Sequence, residues 1–118
     1  MLYFTVIKTK YGGEQMSFYL TQGDTAEFTA VPKLSDGSLV DLSTITKCVF
    51  KLSDDSYREI FSKEFTKTET GFVVRLESEE TAIIPVATYI YEVEYTFEDG
   101  TVNTPNQSSF EILDQIIK

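Results

Sequence analysis

The chain contains no histidine and no tryptophan, and only one cysteine and three prolines in 118 residues. Without histidine, Ser-His-Asp and Cys-His nucleophile systems and imidazole-ligated metals are excluded. A single thiol, Cys48, makes neither an internal disulfide nor a zinc cage, so folding does not rely on an oxidising compartment. Basic residues are scarce as well: 10 Lys and Arg stand against 19 Asp and Glu, a formal net charge of −9. That balance argues against a nucleic-acid binder and against docking on an anionic membrane. It suits a particle-surface protein or a basic protein partner. Long apolar runs are missing too, and no stretch approaches the ~20 residues of a membrane span. The opening "MLYFTVIKTK" is apolar only over Leu2 to Ile7 and lacks a basic n-region, a signal-length core and a small-residue cleavage site. The expectation is synthesis in a host cytoplasm, with no exit by a signal peptide.

What is present points to β-structure. The chain is 42% hydrophobic and 14% aromatic, all of it Phe and Tyr, residues that fit a pleated, half-buried surface. Period-two alternation dominates. In "TYIYEVEYTFE", Tyr89, Tyr91, Val93, Tyr95 and Phe97 point one way, and Glu92 and Glu94 point the other, which predicts a strand with one buried side. Cys48, Phe50 and Leu52 repeat the pattern, as do Phe72, Val74 and Leu76, then Ala26, Phe28 and Ala30, then Phe110 and Ile112. "LYFTVIK" and "MSFYL" read as two short strands around a Gly12-Gly13 hairpin loop, and "REIFSKEFTK" as one further strand. Turn signals at Gln22-Gly23-Asp24, Asp36-Gly37, Asp54-Asp55-Ser56, Thr70-Gly71 and Asp99-Gly100 fall about eight to fifteen residues apart, the rhythm of a sandwich or barrel. Ser78 to Ile84, before Pro85, reads as one helical turn capped by Ser78, and "DQIIK" extends the last strand or leaves the domain. The expected fold is a single all-β domain over 1–118, an immunoglobulin-like antiparallel β-sandwich of about seven to nine strands. Residues 1–20 would be a hairpin-like segment and 22–112 the sandwich proper. The expected core holds Phe28, Cys48, Phe50, Leu52, Phe72, Val74, Leu76, Tyr91, Val93, Tyr95 and Phe110.

The order of these motifs resembles a known family. Gly23-Asp24-Thr25 opens a strand. Asp36-Gly37 is followed by Val40-Asp41-Leu42-Ser43 and a long strand. Gly71 to Leu76 leads to Glu80-Thr81-Ala82, and Pro85 precedes Thr88-Tyr89-Ile90-Tyr91-Glu92-Val93 and the Asp99-Gly100 hairpin. From about Gln22 to Ile112 this resembles the N-terminal immunoglobulin-like domain of tailed-phage upper-baseplate proteins and related virion modules. Ala87 stands where that pattern usually has Gly, and no receptor-binding or trimerising segment follows Ile112. The resemblance therefore implies a free-standing head-decoration, neck, tail or baseplate accessory protein located in the virion. Such a protein is non-enzymatic and meets other virion proteins in multiple copies.

The residues offer little chemistry. Gly12-Gly13 lacks the Lys-Ser/Thr and helix of a phosphate loop. Glu92 and Glu94 share a strand face about 7 Å apart, a spacing for acid–base work, but they read first as a solvated face. Asp36, Ser38 and Asp41 are candidate ligands for Ca²⁺, although their spacing does not match an EF-hand loop. No catalytic residue, cofactor, nucleic acid, membrane or small-molecule substrate is expected. Tyr3, Tyr11, Tyr19 and Tyr57 are candidate contact residues, because exposed tyrosine favours protein and sugar surfaces. An alternative class is therefore a bacterial surface adhesin or carbohydrate-binding sandwich; a hydrolase using acidic pairs is a third.

Overall fold

Among the described residues the alternating runs pair into ten strands. In chain order these are β1 (Tyr3–Thr9), β2 (Gly13–Glu14), β3 (Phe18–Thr21), β4 (Ala26–Leu34), β5 (Ile45–Ser53), β6 (Glu59–Glu64), β7 (Thr66–Lys67), β8 (Phe72–Leu76), β9 (Ala87–Phe97) and β10 (Val102–Leu113). A computed structural model describes residues 3–9, 13–14 and 17–114. One sheet runs β2-β1-β4-β8-β7 and the other β3-β10-β9-β5-β6. β2 and β7 are two residues each, which leaves eight strands of working length. All pairings are antiparallel except β3 with β10, where Phe18 to Thr21 run alongside Phe110 to Leu113. The β10 register shifts between Asn103 and Asn106. Pro105 sits in that irregularity, on a stretch with no β3 partner, as a residue without an N–H requires.

Every residue of the expected core is buried. The two inner faces meet in a cluster of rings: Phe18, Phe28, Phe50, Tyr91 and Phe110 have centroids 4.9 to 6.4 Å apart. Truncating one such ring costs about 3–5 kcal/mol. Phe18 reaches the cluster because β3 docks on β10, a placement that no local pattern announces. A polar bond crosses this apolar layer: Thr5 Oγ1 and Tyr95 Oη lie 2.9 Å apart, joining β1 to β9. Burial pushes the Tyr95 hydroxyl well above the ordinary tyrosine range, with the nearby Cys48 adding to it and the Thr5 bond opposing it. Burial alone pushes Tyr91 up to about 12.

Four expectations are corrected. "REIFSKEFTK" is two strands in different sheets: the chain leaves β6, buries Phe65, whose N–H donates to Cys48 O at 2.8 Å, and enters β7 across the sandwich. The alternation is broken there because consecutive residues change partners. The helical turn is α1 (Ser78–Ala82), but its N-cap is Glu77 rather than Ser78, and Glu80 Oε1 accepts from the Glu77 N–H at 2.8 Å. Leu39 and Val40, after the Asp36-Gly37 turn, read in sequence as a joint re-entry into the apolar layer, but Leu39 does not re-enter it. It is 70% exposed, while Val40 packs on the core. "LYFTVIK" and "MSFYL" do not pair with each other: β1 pairs antiparallel with β2, and β3 joins the opposite sheet. Gly12 and the tail from Gln115 onward lie outside the described residues.

β9 begins with a corner. Tyr89 Oη donates to Pro85 O at 2.6 Å, tying the first turn of the strand back to the end of the α1 crossing, a device of immunoglobulin-like sandwiches.

Candidate interaction surfaces

The carboxylates singled out as ligands are occupied locally. Asp36 Oδ1 accepts from Ser38 N at 2.9 Å and from Ser38 Oγ at 2.6 Å. Asp41 Oδ1 accepts from Ser43 N at 3.0 Å and Ser43 Oγ at 2.7 Å. Each acid closes its own turn, with Gly37 taking the φ of 90° that the first turn needs. The serine hydroxyls, followed by the backbone N–H groups, hold both carboxyls below the usual aspartate range. Among the described residues no three His, Cys, Asp or Glu side chains gather to hold a metal ion. Cys48 is buried beneath the sheet, and burial, followed by the charge of Glu64, pushes its thiol far up. Glu92 and Glu94 lie on the outer face of the second sheet, and Glu94 accepts from Lys51 Nζ at 3.0 Å.

Two blocks of the ordered motif set meet in space. Thr81 Oγ1 accepts from Gly23 N at 3.1 Å and donates to Asp24 O at 2.7 Å. Ser78 Oγ donates to Gly23 O at 2.7 Å, and Gln22 Nε2 donates to Ile84 O at 2.8 Å. The Gln22-Gly23-Asp24 turn and α1 thus form one joint at the end of the sandwich, with Thr81 fully buried in it. This is the residue sequence reasoning missed. A threonine in a short helical turn ahead of an apolar pair gives no sign that its hydroxyl serves a turn 58 residues away in sequence.

The tyrosines divide. Tyr89, Tyr91 and Tyr95 are core residues, whereas Tyr19 is 74% and Tyr57 67% exposed. The Tyr3 side chain and Tyr11 lie outside the described residues. Concavities among the described residues include three of distinct lining. A groove of about 880 Å³ runs over the first sheet, between Lys8, Val31 and Lys33 and the loop at Leu39, Val40 and Leu42. An apolar hollow of about 350 Å³ at one end lies among Ile60, Phe61, Ile83, Ile84, Pro85 and Ala87. A shallow one of about 560 Å³ on the second sheet is lined by Asp55, Thr88, Tyr89, Ile90, Ser108 and Ser109. None of the three combines a nucleophile with a base.

No protein-family model matches the chain, and no curated protein matches it in sequence. Among solved structures it is similar to CopC from Methylosinus trichosporium OB3b, at 8% identity and a TM-score of 0.51, over 86% of this chain and 87% of that one. It is also similar to the fibronectin(III)-like modules of CbhA from Clostridium thermocellum, at 11% identity and a TM-score of 0.50, over 92% of this chain and 96% of that one. Likeness at these identities is likeness of fold, and the fold is an all-β sandwich of the immunoglobulin and fibronectin III kind.

Proposed function

We propose that the chain is a non-enzymatic structural module of a tailed-phage virion, a head-decoration, neck, tail or baseplate accessory protein acting through protein–protein contacts. The observation that carries this reading is the joint between the Gly23-Asp24 turn and α1. Two separated blocks of the virion-like motif order bond to each other there, so the pattern behaves as one structural unit rather than as scattered common turns. The acidic balance of 19 to 10 suits a surface module in a particle built by protein contacts. A second reading, a carbohydrate-binding or adhesin sandwich, is favoured by the exposed rings of Tyr19 and Tyr57. Mass spectrometry of purified particles is the test. The expected outcome is this chain at a fixed ratio to a major virion protein. Its absence from intact particles, together with saturable binding on a glycan array, would overturn the first reading in favour of the second.

A further inference from the structure

The outer face of the second sheet is a regular five-stranded surface. Register fixes what it presents, because residues opposite one another across a ladder share a face. One row runs from Tyr19 on β3 to Glu111 on β10 and Thr88 on β9. Asp55, from the β5–β6 hairpin, closes that row over Thr88. The next row holds Ser109 and Ile90, and beyond it Glu92 stands opposite Lys51 and Glu94 opposite Val49. Lys51 is engaged by Glu94 at 3.0 Å and by Glu59 at 4.0 Å. Glu111 and Asp55 have no ion-pair partner among the described residues. The outer face of the first sheet differs: its strands present Val6, Val31 and Val73, with Lys8 and Lys33.

We propose that this outer face, from Tyr19 across Glu111 and Thr88 to Asp55, is the docking face for a basic, extended segment of another protein. Three features select that occupant. The charge of the face is negative and unquenched at Glu111 and Asp55, so it complements Lys and Arg. Tyr19 offers a ring at 74% exposure, a platform for a guanidinium or ammonium group. Ile90 and the hydroxyls of Thr88 and Ser109 floor a shallow hollow between these charges, suited to alternate apolar and polar side chains of a strand. The inference names the partner chemistry for the contact function proposed above and rests on that reading for its biological setting. Its test is made on the isolated chain, so it fails or holds independently of particle composition.

The test is an NMR titration of the ¹⁵N-labelled protein with the peptide acetyl-Lys-Val-Arg-Val-Lys-Val-Arg-amide, alongside the same peptide with Glu at each basic position. The expected result is saturable shifts confined to the amides of Tyr19, Thr88, Ile90, Glu92 and Glu111, absent with the acidic peptide. Tyr19→Ala and Glu111→Gln each weaken binding by about threefold or more, whereas Glu69→Gln, at the β7–β8 turn, leaves it unchanged. The melting temperature of each variant confirms the fold. Shifts spread evenly over all exposed carboxylates, insensitivity to both Tyr19→Ala and Glu111→Gln, or preferential binding of N-acetylglucosamine on the same face would each overturn the proposal. So would concentration-dependent self-association that buries the face.

Discussion

Tyr95 carries a hydroxyl into the middle of an apolar layer, and Thr5 is what makes that tolerable. Removing the Thr5 hydroxyl takes their shared hydrogen bond from a Tyr95 hydroxyl in a site 1% exposed. Thr5→Val is therefore expected to cost about 1–3 kcal/mol, and the Thr5→Val/Tyr95→Phe double variant less than the sum of the singles. Urea denaturation of the four proteins measures the coupling. Tyr57 is the opposite case, a side chain with little to hold it. It sits at φ 60°, the left-handed region, at the fourth residue of the β5–β6 hairpin turn, where its N–H donates to Asp54 O at 3.0 Å. Replacement by glycine relieves that strain but frees the unfolded chain, so Tyr57→Gly should gain about 0.5–1 kcal/mol in the same assay. Nothing in the amino-acid order marked this position, because Asp54-Asp55-Ser56 already read as the whole turn.

At the scale of elements, the joint between α1 and the Gln22-Gly23-Asp24 turn concentrates its bonds in one oxygen. Thr81→Ala removes the acceptor for Gly23 N and the donor for Asp24 O inside a closed site, and should cost about 2–3 kcal/mol. Thr81→Ser should retain most of that stability. Thermal melts of the two variants separate the hydroxyl from the methyl. Strands β4, β5, β8 and β9 were legible because each has one buried face, and alternation reports that face residue by residue. What was not legible is what depends on distant partners. Phe65 sits at a change of sheet, so the run around it keeps no single phase. Leu39 looks like a core residue by type, yet it follows a turn that delivers it to solvent. The parallel docking of β3 is long-range, and with it the place of Phe18 in the ring cluster. Of the candidate site residues, Tyr19 and Tyr57 were identifiable by type alone. Their exposure was not, since Tyr89, Tyr91 and Tyr95 are of the same type and are buried.

For the whole molecule, ionisation sets the range of stability. Ser38, Ser43 and Thr101 hydrogen bonds lower Asp36, Asp41 and Asp99, and Arg58 lowers Asp54. Burial raises Glu80, but its bonds to Lys63 and the Glu77 N–H outweigh this and leave it low. These acids bind fewer protons folded than unfolded, so their contribution is complete above the ordinary carboxyl range of about 4 and is lost as pH falls through the folded values. Cys48, Tyr89, Tyr91 and Tyr95 are raised by burial. Their contribution is complete below the ordinary thiol and phenol range and is lost from about pH 9 upward. The urea midpoint should be flat between those limits and fall on both sides. The open edge at β6 is guarded as well: Lys63 points inward and donates to Arg75 O and Glu80 Oε1, both at 2.6 Å, so a foreign strand arriving there meets a charge. The parallel β3–β10 pair has a different consequence. Tension entering the chain ahead of Phe18 and leaving after Leu113 pulls the two strands along their own axis in opposite senses. All four register pairs then share the load at once, as lap joints do, instead of opening one after another. A module bonded in this way is suited to transmitting mechanical force along an assembly, and single-molecule pulling on the two sides of this pair should find a higher rupture force than pulling across the β5–β6 hairpin, which unzips from one end.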